Sequence, residues 1–203
     1  MSSTNIRKGI YETNSSSVHV LCINTKNNVR VPENFTFTIG GQFGWEFDSY
    51  YDSESCGQYV YLLLLDIVLD KVCHEFKNSP ECKELEKTKG PYAYLYPNKS
   101  EKYANLLKTY TNEYKLKIEN ILHNAGCNNI IWEEPNDEAN YYDNGYIDHS
   151  QDAYEFFNVL IKNPDLLISF LFGGGSIHTG NDNDEYTDTS YDVSADYKYE
   201  KGN

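Results

Sequence analysis

Three polar runs carry the side chains able to move protons or hold an ion. The first, Glu12-Thr-Asn-Ser-Ser-Ser-Val-His19, gathers Asn14, Ser15, Ser16 and Ser17 ahead of an apolar stretch. Small hydroxyl and amide side chains in a turn leave backbone N–H groups open to a carboxylate or phosphate, and Glu12 and His19 are candidate acid, base or ligand. The competing account is a capped turn with solvated serines. The second run, Tyr146-Ile-Asp-His-Ser-Gln151, sets Asp148, His149 and Ser150 side by side. Neighbours in an extended chain point to opposite faces, so these three form no triad with one another. Asp148 and His149 remain candidates for a site shared with other runs, while Ser150 reads equally well as a helix cap. The third run, Ile177-His-Thr-Gly-Asn-Asp-Asn-Asp-Glu185, supplies Thr179, Asn181, Asp182 and Asp184. Counted from Asn181, Tyr186 falls where a calcium-binding EF-hand needs glycine and Asp192 where it needs the closing glutamate, which excludes that motif. Asp182 and Asp184 stay candidates for a looser site for a divalent cation, against a solvated acidic turn.

Each run lies where the chain enters or leaves a regular element. Ser17 to Thr25 is β-branched and apolar, and Phe35 to Ile39 alternates rings with threonine at period two; together they predict an antiparallel pair. Gly40 to Glu46 places three glycines among aromatics, a tight packed loop that would present Trp45 to a ligand. From Gln58 to Lys77 the positions Tyr61, Leu64, Leu65, Val68, Val72 and Phe76 recur at helical spacing and predict a buried helix. Pro80 opens a short helix to Lys87, ended by Gly90-Pro91. Ser100 caps a long helix to about Asn124, with Tyr103, Leu106, Leu107, Tyr110, Tyr114, Ile118, Ile121 and Leu122 on its apolar side and Ala125-Gly126 as its stop. Asn129 to Glu133 reads as a short strand, Ser150 to Lys162 and Asp165 to Phe172 as helices broken by Asn163-Pro164, and Ser176 to Thr179 as a strand.

The reading is an α+β chain, a single domain over residues 1–203 with a mixed, mainly antiparallel sheet packed with about four to five helices. The segment 181–203 is acidic and rich in tyrosine; its composition is that of disorder, and its tyrosines are the residues able to hold it against the body. With 19 Tyr and 9 Phe against one Met, many rings must sit at the core's edge, where a phenol can meet water.

Seventeen Lys and Arg face 31 Asp and Glu, a net charge of −14. Phosphate-backbone binding needs Lys and Arg to displace counterions, so nucleic acid is excluded as a direct ligand and basic partners are favoured. The five cysteines are odd in number and never spaced CxxC, which predicts free thiols and no zinc knuckle. The first residues lack the apolar stretch of a secretion signal, and the run Tyr59 to Leu65 is interrupted by Asp66 and Asp70, too short to cross a bilayer. The expectation is a cytoplasmic protein.

Arg7-Lys-Gly-Ile-Tyr-Glu-Thr-Asn-Ser-Ser-Ser-Val-His19 resembles the opening of a family of small proteins of bacteriophages and of low-GC bacteria that carry prophages. Members of that family also carry GxFGW, IDHxS and TGNDN segments, which here read Gly41-Gln-Phe-Gly-Trp45, Ile147-Asp-His-Ser-Gln151 and Thr179-Gly-Asn-Asp-Asn183, with Ser150 directly after His149. The resemblance spans nearly the whole chain and implies a phage origin, a bacterial cytoplasm and one shared polar site, without a chemistry. Two functions follow as expectations. One is an accessory protein that binds a host protein, of the defence or nucleic-acid-binding kind, through its acidic surface. The other is a small enzyme or ligand-binding protein, with or without a divalent cation, whose pocket is built from the three polar runs.

Overall fold

The computed structural model describes residues 17–25, 28–44, 48–90, 100–135, 144–148, 153–181 and 195–202. Among the described residues, eight strands and five helices occur in the order β1 (Ser17–Ile23), β2 (Asn34–Phe37), β3 (Gln42–Phe43), β4 (Asp48–Tyr50), α1 (Ser53–Lys77), α2 (Pro80–Lys89), α3 (Glu101–Asn124), β5 (Asn129–Trp132), β6 (Tyr146–Ile147), α4 (Ala153–Lys162), α5 (Pro164–Phe172), β7 (Ser176–Asn181) and β8 (Tyr197–Gly202). The class is α+β.

The helix α1 organises the core. Asp52 caps it, accepting from the Ser55 amide at 2.8 Å, and from Cys56 to Leu64 every residue but the half-buried Gln58 is buried. Beyond Leu64 the helix becomes one-sided, with Val68, Val72 and Phe76 inward and Leu69 and Asp70 outward. Ser100 caps α3 through the Tyr103 amide at 3.1 Å, and Gly126 follows its end at φ 100°, a conformation glycine adopts without strain. The lower part of the expected α3 stripe (Tyr114, Ile118, Leu122) is buried, whereas Leu107 is 37% exposed because the helix's first turns lie at the margin of the core.

The strands form a four-stranded sheet in the order β4-β7-β1-β8, all antiparallel, and two short parallel pairs, β2-β5 and β3-β6. This corrects the expected pairing of the first two strands: β1 joins β7 and β8, and β2 joins β5. Phe35 and Phe37 turn toward the rings of Phe172 and Trp132, so the apolar face of β2 has its complement next to β5 rather than β1. Strands β3, β4, β6 and β8 were not foreseen, and β8 lies inside the tail of disorder-like composition. It is held by its ladder to β1 and by Tyr199, whose ring lies 5.5 Å from Phe156 on α4. None of the five cysteines forms a disulfide, and four of them are buried.

Candidate functional site

In an antiparallel pair, residues opposite one another share a face. The β1-β7 register sets Ser17 opposite Asn181, His19 opposite Thr179 and Leu21 opposite Ile177, and the β4-β7 register adds Asp48 opposite Thr179 and Tyr50 opposite Ile177. This face meets α1, α4 and α5. His19 is buried, and its Nδ1 stands 3.1 Å from the hydroxyl of Tyr59 on α1. Burial first, then the nearby Tyr199 and Asp66, push the Tyr59 hydroxyl well above its ordinary range, so it stays a neutral donor or acceptor to the imidazole.

The opposite face carries Ser49, Tyr51, Val20, Cys22, Ser176 and His178. His178 is 2% exposed and held at both ring nitrogens. The Ser49 hydroxyl lies 2.8 Å from Nδ1, the Ser176 hydroxyl 3.0 Å from Nε2, and the Tyr51 ring stands edge-on at 5.4 Å. Ser176 is buried, whereas Ser49 is exposed on the edge strand and Tyr51 is 65% exposed. Each partner comes from strand geometry: Ser49 is the direct cross-strand neighbour of His178, and Ser176 is its neighbour two residues back on the same face.

A third set joins the GxFGW and IDH segments. Tyr146 N donates to Gly41 O at 2.9 Å, Asp148 N to Phe43 O at 2.8 Å, and Gly40 N to Asn144 O at 3.1 Å. Gly145 adopts φ 90°, and a Cβ there would fall 2.6 Å from the Gly41 carbonyl oxygen, so glycine alone permits this approach. Phe43 then packs edge-on to Tyr59 at 4.9 Å. Tyr59 thus touches both His19 and the strand that holds Asp148.

Of the residues expected to form a site, His19 and Thr179 are brought opposite each other, as are the backbones of Ser17 and Asn181; Asp148 is tied to Phe43 through its amide. Glu12, Asn14, Ser15, Ser16, Trp45, His149, Ser150, Asp182 and Asp184 lie outside the described residues, and so does any distance between His19, His149 and Asp182. Sequence reasoning passed over His178, Ser176, Ser49 and Tyr59. Ser176 and His178 are two apart in a strand, a spacing that already puts them on one face. Ser49 gave no such signal, because its partner is 129 residues away.

Among the described residues no group of three or more His, Cys, Asp or Glu is placed to hold a metal ion, and no helix is long and apolar enough to cross a membrane. A separate open groove of about 600 Å³ runs along β2, lined by Arg30, Pro32, Phe35, Thr36, Glu54 and Phe172 among others. Compared with protein-family models, curated proteins and solved structures, the chain matches none.

Proposed function

We propose that this chain is a bacteriophage-encoded accessory protein that acts in the bacterial cytoplasm by binding a basic host protein, of the nucleic-acid-binding or defence kind. The observation that carries this reading is the segment Asp48-Ser-Tyr-Tyr-Asp-Ser-Glu54, where the exposed ring of Tyr51 is flanked by exposed Asp48, Asp52 and Glu54. Exposed tyrosine anchors rimmed by charge are what protein interfaces use, and an excess of negative charge speeds encounter with a basic surface. The net charge of −14 gives the same sign to the long-range field. The β2 groove adjoins this segment through Ser53 and Glu54 and offers room for a partner side chain.

The test is capture from host lysate with the tagged chain, repeated at rising salt, beside a variant with Asp48→Lys, Tyr51→Ala and Glu54→Lys. A specific partner retained at low salt, released as screening shortens to about 3 Å near 1 M salt, and lost in the variant is expected. Equal capture by both proteins sinks the reading.

The register that sets His19 opposite Thr179 and Ser17 opposite Asn181 favours a second reading, a small-ligand binder or enzyme. Its pocket would draw on Glu12, Asn14, His149, Asp182 and Asp184, with a divalent cation between the carboxylates. Thermal melts with magnesium, calcium, phosphate and nucleotides test it: a shift that Asp182→Asn removes is expected, and unchanged melts with every probe end it.

A further inference from the structure

The Ser49–His178–Ser176 arrangement lies on the sheet face opposite His19 and Thr179 and does not depend on the charge of the acidic docking segment. We infer that it is a nucleophilic site for acyl transfer, with Ser49 as the nucleophile, His178 as its general base and Ser176 as the positioning residue. A serine hydroxyl reacts at neutral pH when a base stands within hydrogen-bond reach and a third group fixes that base. Here the Ser49 hydroxyl is 2.8 Å from Nδ1 of His178 and the Ser176 hydroxyl is 3.0 Å from Nε2. When Nε2–H donates to Ser176, the Nδ1 lone pair faces the Ser49 hydroxyl, the tautomer that proton abstraction requires.

Exposure divides the three residues as such a site needs. His178 and Ser176 are each 2% exposed, so the imidazole is immobilised, while Ser49 is exposed on β4, the edge of its sheet. A reacting carbonyl can therefore reach Ser49 without entering the core. The Tyr51 ring, edge-on to the imidazole at 5.4 Å and 65% exposed, supplies an apolar wall beside it. The substrate class that fits is an activated ester or thioester with an apolar or aromatic group resting on Tyr51.

The step balances without a co-reactant beyond water. The Ser49 oxygen forms a bond to the acyl carbon as its proton passes to Nδ1; the carbon–oxygen or carbon–sulfur bond to the leaving group breaks, and that group takes the proton from the imidazolium. Water, deprotonated by the same nitrogen, then attacks the acyl-serine, releasing the carboxylic acid and restoring the Ser49 hydroxyl.

The experiment uses the full chain with p-nitrophenyl acetate and with an aryl fluorophosphonate, read by p-nitrophenolate release, intact mass and peptide mapping. One adduct on Ser49 is expected, none in Ser49→Ala, and labelling at least about 100-fold slower in His178→Gln, the low end of what general-base help supplies. Ser176→Ala should shift the pH profile of labelling and Ser176→Thr should restore it, which a merely structural hydroxyl would not do. An adduct elsewhere, or labelling of His178→Gln at the wild-type rate, overturns the assignment. If His178→Gln does not fold, the wild-type chain decides: fluorophosphonate adducts spread over several residues instead of confined to Ser49 overturn it equally. Labelling of Ser49 on the purified chain should persist at about 1 M salt, where screening over about 3 Å releases the docked partner, so the two proposals fail separately.

Discussion

Lys115 and His178 each set a nitrogen-bearing side chain among apolar neighbours, and they do so in different ways. At the β2-β5 pair, Lys115 of α3 reaches across the rings of Tyr61 and Trp132, each 5.3 Å from its ammonium, to Glu134 at 3.2 Å. Those rings belong to a stacked block: Phe37 lies face to face with Trp132 at 3.9 Å, Tyr61 meets Trp132 edge-on at 4.9 Å, and the Tyr61 hydroxyl donates to Glu133 O at 2.7 Å. The charge stays at the rim, since Glu134 is 81% exposed. At the β4-β7 pair, His178 is wholly inside and satisfied by two neutral hydroxyls. The first arrangement gives its aromatic area to stability and pairs its cation with an exposed carboxylate. The second holds an imidazole between two hydroxyls, one donating to the ring and one accepting from it. A polar group in a core is therefore a packing device or a chemical one according to what holds it, not how deep it lies.

The largest expected effect falls on the aromatic block. Tyr61→Ala should lose about 3–5 kcal/mol in urea unfolding, because it empties a fully buried ring site and removes a hydrogen bond. It should leave Ser49 labelling at the wild-type rate in the folded fraction. His178→Ala comes next: it strands the buried Ser176 hydroxyl and should cost about 1–3 kcal/mol while abolishing labelling. Stability loss without loss of labelling would erase the distinction between the two regions.

Asp52, which joins β4 to α1, should matter less. Asp52→Ala removes the N-cap and should cost about 1 kcal/mol near neutral pH. The Ser55 amide holds the Asp52 carboxyl below its ordinary range, against a smaller opposing push from burial. Its contribution is thus complete above the unfolded value of about 4 and lost as pH falls through the lower folded one. Wild type and variant should converge in acid, and a constant gap would show that the cap does not act through its charge. The smallest effect is expected from Lys115→Met, a loss of about 1 kcal/mol or less, since Glu134 is exposed and water screens the pair. A loss as large as that of Tyr61→Ala would mean that the lysine, and not the rings, anchors α3. Reactivity of the Cys56 thiol offers a further check on the shared core: burial, aided by Asp52, pushes it up to about 12, so it should resist thiol reagents at mild alkaline pH until the chain unfolds.

The helices were legible because their information is local. Ser100, Pro80 and Gly126 mark ends through their own backbone preferences, and the spacing from Tyr61 to Phe76 declares a buried face without reference to any partner. Strand identity was legible for β1, β2, β5 and β7 for the same reason. Strand pairing was not, since β1 could satisfy its ladder with any apolar strand, and the choice of β7 and β8 over β2 depends on where α1 presents Tyr59 and where α4 presents Phe156. β8 was hidden altogether because Tyr197-Lys-Tyr-Glu-Lys-Gly202 has the composition of a solvated tail and gains its order from a neighbour 180 residues or so away in the chain, a cost of loop closure that grows only slowly with length.

The polar runs show the same division at the level of the site. Sequence by itself determined that His19 and Thr179 sit in strands beside turn-forming residues, and that Ser176 and His178 share a face, because side-chain alternation is a property of one strand. Only the tertiary structure decided that His19 meets Thr179 and Tyr59, and that Ser49 stands 2.8 Å from His178, because register is set between strands by the burial of their apolar sets against α1, α4 and α5.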